Sequence, residues 1–408
     1  MSSEQSPVQP SADASSNRSR TGLSEFALAV GGFGIGTGEF AIMGLLPDVA
    51  TDLGVSVPTA GHVISSYALG VVVGAPVLAV LGASFPRRTV LLVLMALFAL
   101  GNLASALAQD YGQLMLFRFL AGLPHGAYFG VASLIAAGMV APNRRAAAIG
   151  RVMLGLTIAV LVGTPLATWF GQGLGWRAAF AIVGAIAAAT VVLVRVFVPF
   201  EAARAGANPL RELDALRRGQ VWLTLAIGAV GFGGMFAVFS YITPTLTETA
   251  GVPPHLVPFV LSVFGAGMIL GNVVGGRLAD HALLPTIGGV LLWSALVLGA
   301  FVWTSQHPWT AVATVLLVGT GGALVPALQI RLMDVAAEAQ TLAAALNHSA
   351  FNVANALGAW LGGLTISAGF GWNSTGWVGA LLALGGLLVF ALAWSLERRR
   401  AQPCAQAA

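Results

Sequence analysis

The sequence predicts an all-α integral membrane protein in which twelve transmembrane helices form two pseudo-symmetric six-helix halves. Of the 408 residues, 57% are hydrophobic and only 8% are charged, whereas soluble globular domains carry about 25% charged residues. Apolar runs of about 20 residues, the length that crosses a bilayer as a helix, recur along the whole chain. These runs are continuous, unlike the short alternating segments of outer-membrane strands.

Pro, Gly or charged residues separate the twelve apolar runs that we interpret as transmembrane spans. Their approximate limits are 24–47, 57–81, 89–108, 112–140, 146–171, 177–199, 220–246, 255–279, 285–304, 309–333, 341–368 and 374–396. The polar segment 201–219 is a predicted cytosolic linker between the halves 21–200 and 220–397. Residues 1–20 are Ser-rich and predict a disordered cytosolic tail, and residues 398–408 predict a second cytosolic tail.

The basic residues predict the orientation of the chain. All 19 of them are arginines. With the N-terminus inside, all but Arg118 and Arg177 lie at or near the cytoplasmic side, as the positive-inside rule requires. Both termini and the 201–219 linker are therefore expected in the cytosol. The net charge of +4 reflects this topology and does not indicate nucleic-acid binding.

Several functional classes lack their sequence signatures. The chain has no GxxxxGK[ST] motif and no Lys, which excludes ATP-driven transport by this chain alone. The single cysteine, Cys404, and the six histidines have no metal-binding spacing, so no metal site and no cofactor are expected. A membrane-embedded enzyme would need a clustered nucleophile, metal ligands or paired carboxylates, and none stands out. A transport-fold sensor would need an extra soluble output domain, for which the termini are expected to be too short.

The first span carries one carboxylate, Glu39, near the middle of the segment GGFGIGTGEFAIMGLLP. At helical spacing Gly32, Gly36 and Met43 share its face, so the acid lies among residues that admit a neighbouring helix or water. A carboxylate at bilayer depth costs about 2.5 to 3.5 kcal/mol and usually marks an ion or substrate pathway. Two interpretations remain: a proton carrier, or a structural Glu paired within a helix interface.

The fourth span presents Arg118, Gly122, His125 and Phe129 on one face, at positions i, i+4, i+7 and i+11. We expect Arg118 at a bilayer depth similar to that of Glu39, and a buried guanidinium needs an anionic or carbonyl partner. One interpretation of Arg118 is a structural residue that holds two helices together. His125 is either a proton relay or a neutral hydrogen-bonded residue. The sequence leaves open whether Glu39 pairs with Arg118 or with His125.

Four segments together resemble the major facilitator superfamily, in particular its twelve-span drug/proton antiporters of the arabinose-efflux and chloramphenicol-efflux type. They are GTGEFAIMGLLPDVATDLGVS in the first span, RFLAGLPHGAYFGVASL in the fourth, GLTIAVLVGTPLATWFGQGLGWRAAF in the fifth and ALNHSAFNVANALGAWLGG in the eleventh. The resemblance implies the major facilitator fold and proton-driven export without a cofactor, by a monomer in the bacterial inner membrane. It also implies a role for Arg118 in proton coupling.

In the fifth span, Gly155, Gly163, Pro165 and Gly171 resemble the antiporter motif that bends this helix at the domain interface. The sequence departs from the motif at Thr164, where Gly is usual immediately before the Pro. The resemblance implies a conformational role for Gly163 and Pro165.

The cytoplasmic loop motif of the superfamily is degraded in both halves. The first copy keeps only its final basic pair, Arg87 and Arg88, which are gating residues or, more simply, topology anchors. The second copy keeps Gly276 and Asp280 but lacks the basic run, so Asp280 is the remaining gating candidate.

Aromatic and amide side chains predict a mixed, mostly apolar cavity between the halves. The predicted substrate-binding residues are Phe33, Phe40, Met43, Tyr128, Phe236, Phe239, His348, Asn352 and Asn355. The asparagines are alternatively interhelical polar contacts, and the phenylalanines lipid-facing or core residues. The predicted partners are protons, the lipid bilayer and a small, uncharged or weakly cationic amphipathic substrate, such as a phenicol. The alternative is export or facilitated movement of a native metabolite such as a sugar or nucleoside.

Overall fold

The computed structural model describes residues 12–141, 144–200, 217–336 and 340–405, and every regular element within them is helical. The helices of the first half are α1 (Ala12–Gly44), α2 (Leu46–Asp52), α3 (Val57–Gly82), α4 (Arg87–Ala106), α5 (Tyr111–Gly138), α6 (Arg145–Ile158), α7 (Thr164–Leu174) and α8 (Trp176–Phe197). Those of the second half are α9 (Gly219–Gly231), α10 (Gly233–Ser240), α11 (Ile242–Pro244), α12 (Val257–Thr304), α13 (Pro308–Gly319), α14 (Leu324–Ala336), α15 (Gln340–Ser367) and α16 (Ser374–Ala405).

Ten helical stretches among the described residues are long and apolar enough to cross a membrane. One of them, Pro254–Thr304, has 51 residues and is long enough for two crossings. Its main helix, α12, is interrupted at Ala282, where φ is −154° and ψ is 79°. With these two crossings and the 28-residue α15, the bundle has the twelve-helix form that the sequence predicts, and the all-α fold class is confirmed.

The helix boundaries differ from the prediction near both termini. α1 begins at Ala12, so residues 12–20, predicted as part of a disordered tail, are helical. A helix already nucleated by an apolar span extends at little cost through Ser, Asn and Arg, which explains the longer element. At the other end α16 continues to Ala405, into the predicted C-terminal tail. Residues 1–11 and 201–216 of the predicted tail and linker lie outside the described residues.

One apolar core joins the two halves at the end of the bundle that contains α2. It includes Phe40, Leu46 and Val63 from the first half together with Leu261 and Phe264 from the second. We call this end, which also holds Asp52, the distal face, and the opposite end, which holds Glu25, the proximal face. The halves are therefore packed against each other at and below the distal face.

Two further cores belong to single halves. One surrounds Leu28, Val152 and Val194 and consists of first-half residues. The other is a small cluster of Val221, Leu332 and Ala336 in the second half. Since Glu25, Val194 and Val221 lie towards the proximal ends of their helices, apolar packing on that side is organised within each half.

A π-helical turn, Ala159–Gly163, separates α6 from α7. Pro165 has no backbone N–H, and the Thr164 N–H bonds to the Ala159 carbonyl, five residues back. The fifth span therefore has a wider helical turn immediately before the proline, at the position where the sequence predicts a bend. A Cβ added to Gly265 of α12 would lie 2.6 Å from Cα of Leu161, so this turn also touches the second half.

Candidate functional site

Glu39 lies in α1, only 6% exposed, at the boundary between the halves. Its Oε1 accepts a hydrogen bond of 3.2 Å from Nδ2 of Asn355 in α15. The ion pairs found among the described residues, at a limit of 4.0 Å, do not include Glu39. The second half therefore supplies the polar partner that this buried carboxylate needs.

Arg118 of α5 is completely buried next to Glu39. Its Nη2 donates to the carbonyl of Gly38 at 2.9 Å, and its Nη1 lies 3.5 Å from Oδ1 of Asn102. Its Cζ lies 4.2 Å from the centroid of the Tyr67 ring, in a cation–π contact. Of the two partners predicted for this guanidinium, the structure shows a carbonyl, and it belongs to the residue immediately before Glu39.

His125 lies seven residues after Arg118 on the same face of α5. It contacts Tyr67, and the described residues show no hydrogen bond between it and Glu39. Its Nδ1 lies 3.1 Å from the Tyr67 hydroxyl. Its ring centroid is 6.4 Å from that of His348 in α15, and Phe129 stacks on His348 at 5.4 Å. The hydrogen bonds among the described residues are therefore Glu39 to Asn355, Arg118 to Gly38, and His125 to Tyr67.

Three of the predicted substrate-binding phenylalanines meet at the boundary between the halves. The ring centroid of Phe40 is 6.3 Å from that of Phe236, in a stacked pair, and 6.1 Å from that of Phe239, edge-on. Phe239 in turn stacks on Phe264 at 3.9 Å. We call Phe40, Phe236, Phe239 and Phe264 the aromatic cluster. In this conformation its rings fill the space between the halves by packing on each other.

The two predicted asparagines of α15 are buried beside this boundary. Asn352 donates from Nδ2 to the His348 carbonyl at 3.1 Å, within its own helix. The Oδ1 atoms of Asn352 and Asn355 accept no hydrogen bond from any described residue. Since buried polar atoms are normally satisfied, these two oxygens are available to a donor group of a ligand or a water molecule.

The remaining predicted substrate residues are Tyr128, Phe33 and Met43, and two of them lie away from the boundary between the halves. Tyr128 is part of the first-half core, and its hydroxyl donates to the Leu28 carbonyl at 2.8 Å. Phe33 lines a groove between α1 and α6 at the proximal face. Met43 is fully buried, and its carbonyl accepts a 3.1 Å hydrogen bond from the Thr243 hydroxyl of the second half. Of these three, only Met43 lies at the boundary between the halves.

The predicted gating residues occupy helix ends and the π-helical turn. A Cβ on Gly163 would meet the side chains of Phe33 and Thr37 in α1, so this glycine sets the spacing between α1 and the turn. Arg87 begins α4, and Arg88 donates to the carbonyl of Arg195. Asp280 is exposed in α12, two residues before the non-helical Ala282.

Sequence reasoning missed an ion pair between Glu25 of α1 and Arg151 of α6. Two hydrogen bonds of 2.6 and 2.7 Å join the guanidinium to the carboxylate, and the Glu25 side chain is only 7% exposed. Arg151 had signalled topology alone, since the charge pattern gives no distance between helices. Sequence reasoning also missed Tyr67. The only hint in the sequence is that tyrosine is rare, with four in the whole chain.

A second ion pair joins two helix ends at the distal face. Asp52 accepts hydrogen bonds from Arg177 and, at 3.1 Å, from Nε1 of Trp176. The hydrogen bond from Arg177 lowers the pKa of Asp52 below its ordinary value of 3.8, and that from Trp176 acts in the same direction. The pair ties the segment after α1 to the start of α8.

The family model of the Major Facilitator Superfamily matches residues 28–295 and 225–407. The chain belongs to the major facilitator superfamily. It is 42% identical over 368 residues to the inner membrane transport protein YdhP of Escherichia coli K12, covering 89% of this chain and 94% of that protein. A chloramphenicol resistance protein of Streptomyces lividans is 35% identical, over 90% of this chain and 94% of its own length. A probable sugar efflux transporter of Pasteurella multocida is 31% identical, over 90% of each.

Solved structures show the same fold. A bacterial homologue of the human lysosomal transporter Spinster superposes with a TM-score of 0.75 at 16% identity, over 92% of this chain and 97% of the other. Membership of the superfamily and these relatives establish a multi-pass membrane transporter. Superfamily members are in general not enzymes, which agrees with the absence of enzyme signatures in the sequence.

Proposed function

We propose that the protein exports small amphipathic compounds across the bacterial inner membrane in exchange for protons, by alternating access and without a cofactor. In this proposal the chain works as a monomer with both termini in the cytosol, so that the distal face is periplasmic. The observation that carries the proposal is the hydrogen bond between Glu39 in one half and Asn355 in the other. It makes a titratable group part of the contact between the two moving bodies.

The protonation state of Glu39 changes this contact. The carboxylate accepts the Asn355 N–H as a charge-assisted hydrogen bond, which is stronger than a neutral one. Protonation removes that charge and turns one carboxyl oxygen into a donor. A ligand shifts a conformational equilibrium only through a difference in its interactions with the two states. Because Glu39 bonds across the boundary, proton binding provides such a difference.

The substrate site that we propose lies between the aromatic cluster and the asparagines of α15. Separation of the halves would expose the facing surfaces of Phe40 and Phe236 to a substrate. Apolar burial contributes about 25 cal/mol per Å², and the unpartnered Oδ1 atoms of Asn352 and Asn355 are positioned to accept from a hydroxyl or amide of the substrate. The similarity to the chloramphenicol resistance protein favours a phenicol as one such compound.

Export of a native metabolite is the second candidate. The similarity to a probable sugar efflux transporter favours it, as do the two amide oxygens, which suit a polyhydroxylated ligand. The aromatic cluster argues for the amphipathic substrate, because a free sugar buries little apolar surface against four phenyl rings.

The test measures proton movement in proteoliposomes that contain the full chain and an internal pH dye. Chloramphenicol, ethidium, arabinose and uridine are added one at a time across an imposed pH gradient. We expect chloramphenicol or ethidium to release protons from the lumen through the protein. Proton movement with arabinose or uridine alone would support the second candidate, and none with any of the four would contradict the proposal.

A further inference from the structure

We infer that Tyr67 of α3 is a positioning residue of the proton-coupling site, holding Arg118 and His125 in a fixed relation to each other. The inference deepens the proposed function and rests on it. Tyr67 is 1% exposed, and its two polar contacts use different parts of the side chain. The ring faces the Arg118 guanidinium at 4.2 Å, and the hydroxyl lies 3.1 Å from Nδ1 of His125.

The contact with His125 depends on the protonation of the imidazole. When Nδ1 carries no proton, the Tyr67 hydroxyl donates to it, and the neutral ring then carries its proton on Nε2. When Nδ1 is protonated, it donates to the phenol oxygen and the hydroxyl proton must turn to another acceptor. Tyr67 therefore fixes the tautomer of His125 in one state and is displaced from that role in the other.

Three helices contribute the charged and titratable groups around Tyr67 and His125. α5 contributes Arg118, α1 contributes Glu39, and α15 contributes His348, whose ring is 6.4 Å from that of His125. The first half thus contributes an acid, a guanidinium and an imidazole to this region. Tyr67 is the side chain that contacts two of the three directly.

Tyr67 also stands next to the contact between the halves. Two residues earlier on α3, the Ser65 hydroxyl donates to the carbonyl of Ala356 at 3.1 Å, and Ala356 follows Asn355, the partner of Glu39. Movement of α15 against the first half would therefore alter the Ser65 and Glu39 contacts together. Tyr67 thus lies two residues from a contact between the halves and itself contacts two side chains of α5.

The variant Tyr67→Phe separates the two contacts, because it keeps the ring over Arg118 and removes the hydroxyl. Tyr241→Phe is the matched control: Tyr241 is equally buried, and its hydroxyl donates to a backbone carbonyl, that of Ala359, at 2.8 Å. The first measurement is ¹⁵N NMR of histidine-labelled full chain in nanodiscs, with the His125 signals assigned through His125→Gln. We expect Tyr67→Phe to change the His125 tautomer signals and Tyr241→Phe to leave them as in wild type.

The second measurement is the pH dependence of proton movement driven by chloramphenicol or ethidium in proteoliposomes. Loss of one net hydrogen bond should move the midpoint by about 0.7 pH unit, a change of about fivefold in proton affinity, in Tyr67→Phe only. His125 signals unchanged by Tyr67→Phe would overturn the inference outright. An unchanged midpoint beside a pH-responsive wild type would overturn the coupling role of Tyr67 alone. A wild type that moves no protons would overturn the proposed function and this coupling role together, while the NMR result would still decide whether Tyr67 orients His125.

Discussion

The carboxylate of Glu39 and the amide of Asn355 meet across the boundary between the two halves, 3.2 Å apart. The other buried acid of α1, Glu25, is instead paired within the first half, by both guanidinium hydrogen bonds of Arg151. A guanidinium stabilises a carboxylate chiefly through its charge, whereas an amide hydrogen-bonds to either protonation form of the acid. One helix thus carries an acid suited to a structural role and an acid suited to proton exchange.

These two acids give the first prediction. Glu39→Gln keeps an oxygen that accepts from Asn355 but cannot bind or release a proton, so substrate accumulation driven by a pH gradient should be abolished. Substrate binding, measured by tryptophan fluorescence of the purified protein, should persist. Glu25→Gln is the control: it should retain gradient-driven transport and lower the free energy of unfolding by about 1 kcal/mol, since Arg151 is half exposed and the pair is partly screened. Uphill transport by Glu39→Gln would place the proton site elsewhere, with His125 next.

The sequence predicted the fold and the identity of the buried charges better than their partners. Hydropathy and arginine positions are properties of single segments, so spans and the buried face of α5 can be read along the chain. The partner of Glu39 depends on the relative rotation and depth of α1 and α15, which no periodicity within one helix specifies. For the same reason Tyr128 was grouped with the substrate residues, although its hydroxyl is satisfied by Leu28 inside the first half. No sequence pattern indicates the role of Tyr67, because its two partners, Arg118 and His125, lie on another helix.

The second prediction concerns the contact between α12 and the π-helical turn. A methyl group at Gly265 would lie 2.6 Å from Cα of Leu161 and 2.9 Å from the Val160 carbonyl oxygen, positions that only a backbone shift can relieve. Gly265→Ala should therefore destabilise the protein by about 1 to 3 kcal/mol and impair transport. Gly289→Ala, on the same helix with open space around it, should be close to wild type. Thermal unfolding in detergent and transport assays compare the two, and equal behaviour would contradict a tight contact between the halves at Gly265.

The third prediction concerns pH and the distal ion pair. Because Arg177 lowers the pKa of Asp52, the pair contributes stability that is fully present above the ordinary value of 3.8 and is lost as the pH falls through the lowered pKa. Wild type should therefore exceed Asp52→Asn in melting temperature by a constant amount from pH 5 to pH 8. The difference should vanish at lower pH. A difference that grows on acidification would contradict this sign.

The fourth prediction is the orientation of the bundle. All arginines except Arg118 and Arg177 are placed on one side by the predicted topology, so that side should be cytosolic. Alkaline phosphatase fused after Gly206 or after Ala408 should be inactive, and green fluorescent protein at the same sites should be fluorescent. A fusion in the segment between α1 and α3, for example after Gly54, should show the opposite pattern. Active phosphatase at Gly206 would reverse the assignment of the distal face to the periplasm.

The last prediction identifies the substrate-binding surface by comparing a phenylalanine of α1 with one of α10 in the second half. Phe236 belongs to the aromatic cluster, whereas Phe33 lines the proximal groove. Fully burying a Phe side chain contributes about 1.5 to 3 kcal/mol, so removing the Phe236 ring should lower affinity by roughly tenfold or more. Phe236→Ala should therefore lower the protection of a pump-deficient bacterial host against chloramphenicol much more than Phe33→Ala does.

The same susceptibility panel includes Asn352→Ala, which removes an amide whose Oδ1 has no partner among the described residues. Its effect should be selective, weakening protection against compounds with a hydroxyl or amide donor and sparing a lipophilic cation without N–H or O–H groups, such as tetraphenylphosphonium. Protein levels in the membrane are measured for each variant, because Phe236 also packs against Phe40. Protection against sugar or organic-anion stress alone, with no effect on any lipophilic antibiotic or dye, would contradict the amphipathic substrate and favour the metabolite exporter.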